Sequence, residues 1–108
     1  MCGIAGIAGN PSPENRFSVE RMVQAMRHRG PDAFGVETFA SCCIGHARLS
    51  IVDLGTGQQP MFSADRRQAI TFNGEIYGFR LIRQRLAASY NFVTSSDTEV
   101  LLALYQKM

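Results

Sequence analysis

Cys2 follows Met1 directly. A small side chain at position 2 is the kind that methionine removal tolerates, and removal leaves one residue carrying both a thiol and a free α-amine. A thiol is a strong nucleophile, and an α-amine titrates close enough to neutral pH to serve as its base. When both groups share a residue, covalent catalysis needs no separate histidine. Position alone leaves a second reading open, in which Cys2 is a buried strand residue. The glycines of Gly3-Ile4-Ala5-Gly6-Ile7-Ala8-Gly9 would let such a strand lie close against other backbone or a ligand.

Four further clusters carry polar groups able to act on a substrate: Arg27-His28-Arg29-Gly30-Pro31-Asp32, Arg48-Leu49-Ser50-Ile51-Val52-Asp53, Phe72-Asn73-Gly74-Glu75-Ile76-Tyr77 and Ser96-Asp97-Thr98-Glu99. Each has a plain structural reading as well. Asn-Gly favours a tight turn between strand and helix. An arginine such as Arg48 commonly ends in a surface ion pair. An acid such as Asp97 in the first turn of a helix is favoured by the dipole.

The elements that must position these groups follow from local patterns. Residues 3–9 read as a short buried strand, ended by Asn10-Pro11-Ser12-Pro13. Ser18 offers an N-cap, with Phe17 and Met22 as a hydrophobic staple. Val19, Met22, Val23 and Met26 then predict an amphipathic helix over 19–28, stopped by Gly30-Pro31. Residues 34–40 and 42–48 predict a hairpin. Gly55-Thr56-Gly57 marks a loop, Asp53 a turn, and Gln68–Phe72 another short strand. Phe79, Ile82 and Leu86 supply the buried stripe of a second helix, with Arg80, Arg83 and Arg85 on its wet face. Ser96-x-x-Glu99 has the form of a capping box opening a third helix, whose apolar face runs through Val100, Leu101, Leu104 and Met108. That pattern reaches residue 108 without a stop signal, so the domain is expected to be incomplete at its C-terminal side.

Composition narrows the classes. The 108 residues amount to one domain at most, and 45% apolar content suits a folded chain. A net charge of +2, from 11 basic and 9 acidic residues in no single run, argues against nucleic acid. Cys2, Cys42 and Cys43 form neither a disulfide framework nor, with His28 and His46, a zinc spacing. A thiol redox or metal protein built on them is the weaker alternative. Neither a secretory leader nor a membrane span is indicated, so a cytoplasmic setting with reduced thiols is expected.

In order, the clusters resemble those of the class II glutamine amidotransferase domain of the asparagine synthetase type, an N-terminal nucleophile hydrolase. Related amidotransferases share Met-Cys-Gly-Ile and Arg-Gly-x-Asp, but typically carry His-Thr-Arg-Trp where this chain has His46-Ala47-Arg48-Leu49-Ser50-Ile51 and then Gln59-Pro60-Met61.

The resemblance implies an α+β fold, the N-terminal part of a four-layer αββα sandwich, with residues 1–108 as one glutaminase domain. It implies that Cys2 attacks the side-chain amide of glutamine, with Asn73 and Gly74 holding the oxyanion. Arg48 would take the substrate carboxylate, with Leu49, Ser50, Ile51 and Val52 completing that wall, and Glu75 and Asp97 the substrate ammonium. His28 and His46 are then polar support, Cys42 and Cys43 strand residues, and Arg29-Gly30-Pro31-Asp32 a loop beside the site. No cofactor is expected in this domain. ATP and Mg2+ belong to a synthetase domain absent from these residues, which would accept the ammonia to make asparagine or a related amide. The intact protein is left open as a homodimer. One departure is Gly78, where the family commonly has Asn. The competing class is a non-catalytic fragment or interaction module of the same fold.

Overall fold

Every second residue of a strand faces the same side, and the central strand here divides its residues by that rule. A computed structural model describes residues 2–49 and 57–108. Strand β1 is Gly3–Ala8, helix α1 Pro13–Ala25, strand β2 Ala33–Thr38 and strand β3 Cys42–Arg48. They form an antiparallel sheet in the order β1-β3-β2, with Gly3 opposite Ala47 and Ala33 opposite Arg48. Cys43 and Ala47 of β3 pack on Val19 and Val23 of α1, joined by Ala5, Ile7, Met26 and Val36. A Cβ on Gly45 would strike Val23 at 2.5 Å, so α1 lies tight against this face. The alternate residues, His46 and Arg48 among them, face the other way.

That second face is covered by the chain after residue 57. A Cβ on Gly35 would sit 2.6 Å from the Gln59 carbonyl oxygen. Strands β4 (Met61–Phe62) and β5 (Ala69–Ile70) form a two-stranded antiparallel sheet. Helix α2 (Phe79–Leu86) packs on helix α3 (Asp97–Lys107) around Leu86, Val100 and Ala103, with Phe79, Ile82, Tyr90, Phe92 and Leu104 at the edge. The strand pairs are antiparallel, with α1 between β1 and β2 in sequence and α2 and α3 after β5, an α+β arrangement.

Several local expectations change. Helix α1 starts six residues earlier than its apolar stripe, because Ser12 caps it by accepting from the Asn15 N–H at 3.1 Å and Pro13 takes the first-turn position. Ser18 is therefore inside the helix, and Phe17 and Met22 are exposed rather than stapled. The helix ends at Ala25, and a run of turns carries the chain to Gly30. Strand β1 lies at the sheet edge with one covered face, so Ile4 is exposed. The third helix buries Val100, Leu102 and Ala103, while Met108 is exposed. Arg83 is not on a wet face: it donates to the Thr94 carbonyl at 2.6 Å and stacks over the Phe92 ring.

The hairpin of β2 and β3 and the stripe of α2 match their patterns. The strand predicted over 68–72 is paired only at Ala69 and Ile70. Asp53 and the Gly55-Thr56 part of the predicted loop lie outside the described residues.

Candidate functional site

Because Gly3 pairs with Ala47, Cys2 arrives beside the end of β3 at Arg48 and Leu49. The Leu49 N–H donates to Cys2 Sγ at 3.3 Å, and Sγ lies 3.8 Å from the Leu49 carbonyl oxygen. An N–H aimed at sulfur steadies negative charge forming there. Arg29 Nε donates to the Cys2 carbonyl at 3.3 Å, so the turn after α1 grips the same residue. Gly30 makes that approach possible: a Cβ there would lie 2.3 Å from the Ala47 carbonyl and 2.5 Å from the Arg48 nitrogen. Pro31 then bridges to Arg48, and the Asp32 N–H donates to the Arg48 carbonyl at 2.9 Å.

Arg48 is buried on the second face of the sheet. A Cβ at Gly57 would lie 3.4 Å from Arg48 Nη2 and 3.6 Å from Ser96 Oγ. Gly57 is therefore close to both the guanidinium and the entry to α3. A cleft of about 260 Å³ opens beside Arg48, lined in part by Gly35, Glu37, Gln58 and Gln59.

At the entry to α3, Ser96 Oγ accepts from the Thr98 N–H at 3.2 Å and does the capping. Asp97 is left to reach outward, and its Oδ2 accepts the Ile76 N–H at 3.0 Å. The carboxylate thus holds the end of the Asn73-Gly74-Glu75 loop, a role beyond the helix dipole. Glu99 does not close a capping box. Buried at 2% exposure, it accepts from the N–H groups of Val93 and Thr94 and from the Thr94 hydroxyl. Asn73, Gly74 and Glu75 are exposed, with the Phe72 ring against Gly74. Gly78, at φ +74°, enters α2 in the left-handed region without a side-chain cap, which suits glycine at the departure from the family pattern.

Two polar residues of this region were not singled out for a site by their spacing. Gln59 accepts the Phe72 N–H through Oε1 and donates from Nε2 to Thr98 Oγ1 at 3.3 Å. His46, 1% exposed, shares a 2.9 Å hydrogen bond between Nδ1 and Thr71 Oγ1. Burial, and then the nearby Arg48 charge, push its imidazole down to about 4. Polar support was the expectation for both histidines. His28 is exposed, with Nδ1 3.1 Å from the Ala25 carbonyl. Cys42 and Cys43 are free thiols on β3, and the described residues contain no group of acids, histidines and cysteines fit to hold a metal.

The structure thus brings Cys2 to Leu49, Arg48 to the α3 entry, and Asp97 to the loop that carries Asn73, Gly74 and Glu75. Ser50, Ile51 and Val52 lie outside the described residues.

Such a chain, with a thiol at position 2 met by a backbone donor, belongs to the glutamine amidotransferase domain family, whose model matches residues 1–108. It is 38% identical to asparagine synthetase (glutamine-hydrolyzing) 2 of Arabidopsis thaliana over 109 positions, covering 99% of this chain and 19% of that protein. Asparagine synthetase B (glutamine-hydrolyzing) of Escherichia coli strain K12 is likewise 38% identical, over 99% of this chain and 20% of its own length. The chain spans about a fifth of the length of the curated relatives it matches.

Proposed function

We propose that this chain is the glutaminase part of a glutamine-dependent asparagine synthetase. The observation that carries the reading is the Leu49 N–H on Cys2 Sγ at the end of the strand bearing Arg48. Removal of Met1 frees the α-amine of Cys2, which takes the thiol proton as sulfur attacks the amide carbon. The Asn73 side-chain amide and the Gly74 N–H receive the oxyanion. Collapse of the tetrahedral intermediate breaks the C–N bond, and the α-ammonium returns its proton to the leaving nitrogen. Ammonia departs and a glutamyl thioester remains. Water, deprotonated by the same amine, hydrolyses the thioester to glutamate.

Substrate is held at both ends of its zwitterion in this reading. Arg48 takes the carboxylate, the backbone of Leu49 to Val52 completes that wall, and Glu75 and Asp97 take the ammonium. The names of the relatives support glutamine as nitrogen donor. The ammonia passes to a synthetase domain of the intact protein, where ATP and Mg2+ would serve aspartate activation. Both sheets become parts of a four-layer αββα sandwich. Free thiols at Cys2, Cys42 and Cys43 suit a cytoplasmic setting, and no helix among the described residues is long and apolar enough to cross a membrane.

Ammonia release from glutamine by the intact polypeptide tests the reading. In Cys2→Ala it falls to background while the circular dichroism spectrum is unchanged. Wild-type turnover in that variant overturns the proposal.

A further inference from the structure

Among the described residues, the segment from Thr71 to Glu75 makes no backbone–backbone hydrogen bond; the β4–β5 ladder ends at Ile70. Side chains from other elements hold this stretch instead. Gln59 takes the Phe72 N–H, Asp97 takes the Ile76 N–H, and the Thr71 hydroxyl donates to the Gly45 carbonyl at 3.3 Å. The Thr71 contact is the one that reaches β3.

A hydroxyl has one proton, and Thr71 gives it to Gly45. The 2.9 Å contact with His46 is then an Nδ1–H donated to Thr71 Oγ1. This assigns the imidazole a neutral form with its proton on Nδ1. Burial and the Arg48 charge both oppose a second proton. The resulting chain, His46 to Thr71 to Gly45, rigidly joins two short lever arms. Arg48 and Leu49 lie two and three residues past His46, and Asn73 lies two residues past Thr71.

We propose that His46, acting through Thr71, is a positioning residue that sets the Asn73–Gly74 loop against the Cys2–Leu49 end of β3. This rests on the glutaminase reading, because the loop matters there as the carrier of the oxyanion donors. Donors displaced by a fraction of an ångström lose more of the transition state than of bound substrate. The signature is a fall in kcat with little change in KM.

The test uses the intact polypeptide. Thr71→Val keeps the shape and removes the hydroxyl, and is expected to lower kcat for glutamine hydrolysis roughly 10- to 100-fold with KM within about threefold. Thr71→Ser, which keeps the hydroxyl, should recover most of that loss. Alkylation of Cys2 by iodoacetamide requires no oxyanion donors and should keep its wild-type rate. Should Thr71→Val not fold, His46→Asn and His46→Gln carry the same comparison: the Asn amide can place a donor near the Nδ1 position, whereas the Gln amide reaches past it. Full kcat in Thr71→Val, or equal kcat in the Asn and Gln variants, overturns the proposal. So does a kcat loss accompanied by a comparable rise in KM and fall in alkylation rate, which marks general loosening. If wild type releases no ammonia, the glutaminase reading fails and this inference falls with it.

Discussion

The backbone nitrogen of Leu49 lies 3.3 Å from Cys2 Sγ, although the residues are 47 positions apart. Pairing of Gly3 with Ala47 creates that meeting, so the Cys2 thiol is placed by sheet register. Gly30 is what allows the turn after α1 to close over the same strand end.

Gly30→Ala is expected to lose roughly 3 kcal/mol of stability, since its Cβ would meet backbone atoms that cannot swing aside. Urea unfolding measures the loss. Ammonia release should fall as well, because the displaced backbone belongs to Ala47 and Arg48, next to Leu49. A variant as stable as wild type means that the turn relaxes at no cost and the close packing is incidental.

Asp97 is expected to have two separable duties. In Asp97→Asn the remaining carbonyl oxygen can still accept the Ile76 N–H, so the loop stays in place while the negative charge goes. KM for glutamine should rise about tenfold or more, with thermal stability close to wild type. Asp97→Ala removes both functions, and should lower stability by about 1 kcal/mol in addition. Identical KM values for the Asn variant and wild type would show that the charge does not face the substrate ammonium.

Glu99→Gln is expected to cost about 2–3 kcal/mol in urea unfolding. The two oxygens of this buried carboxylate accept from the Val93 and Thr94 N–H groups and the Thr94 hydroxyl; the amide keeps one oxygen, so at least one of those backbone N–H groups is left facing an NH2 donor. The adjoining segment also carries the Thr94 carbonyl that binds Arg83, so the loss should spread to the α2–α3 contact. A loss below 0.5 kcal/mol, about the scatter of such measurements, contradicts the buried-acceptor role.

His46 ties stability to acidity. Its folded-state value of about 4 lies below the ordinary 6.5, so the unfolded chain binds the extra proton first as pH falls. Stability from this residue is complete above about pH 6.5 and drains away toward pH 4, by about 3 kcal/mol. Unfolding of wild type and His46→Asn compared between pH 7 and pH 4 isolates the effect, because the other titrating groups are shared. Parallel pH profiles would mean that the imidazole accepts a proton within the folded protein.

The candidate site reads in the sequence as an ordered string of motifs, and the helices and hairpin as periodic stripes. Val19 with Val23, and Phe79 with Ile82 and Leu86, show their buried faces because helical period is a local property of consecutive residues. The start of α1 was misplaced for the same reason. Its cap, Ser12, precedes the apolar stripe by a whole turn and more, and Ser18 presents the same chemistry nearer to it. Glu99 has the spacing of a capping box, but spacing cannot show that the Val93–Thr94 backbone comes near enough to claim the carboxylate.

By itself the sequence determined which chemical groups this protein owns, in what order, and which faces of its helices seek cover. The tertiary structure decided who meets whom: Cys2 with Leu49, Asp97 with Ile76, and His46 with Thr71. Those meetings depend on strand register and on side-chain hydrogen bonds across 21 to 47 residues of chain. A hydroxyl or carboxylate is equally content with many partners in isolation, and only the packed backbone leaves one of them within reach.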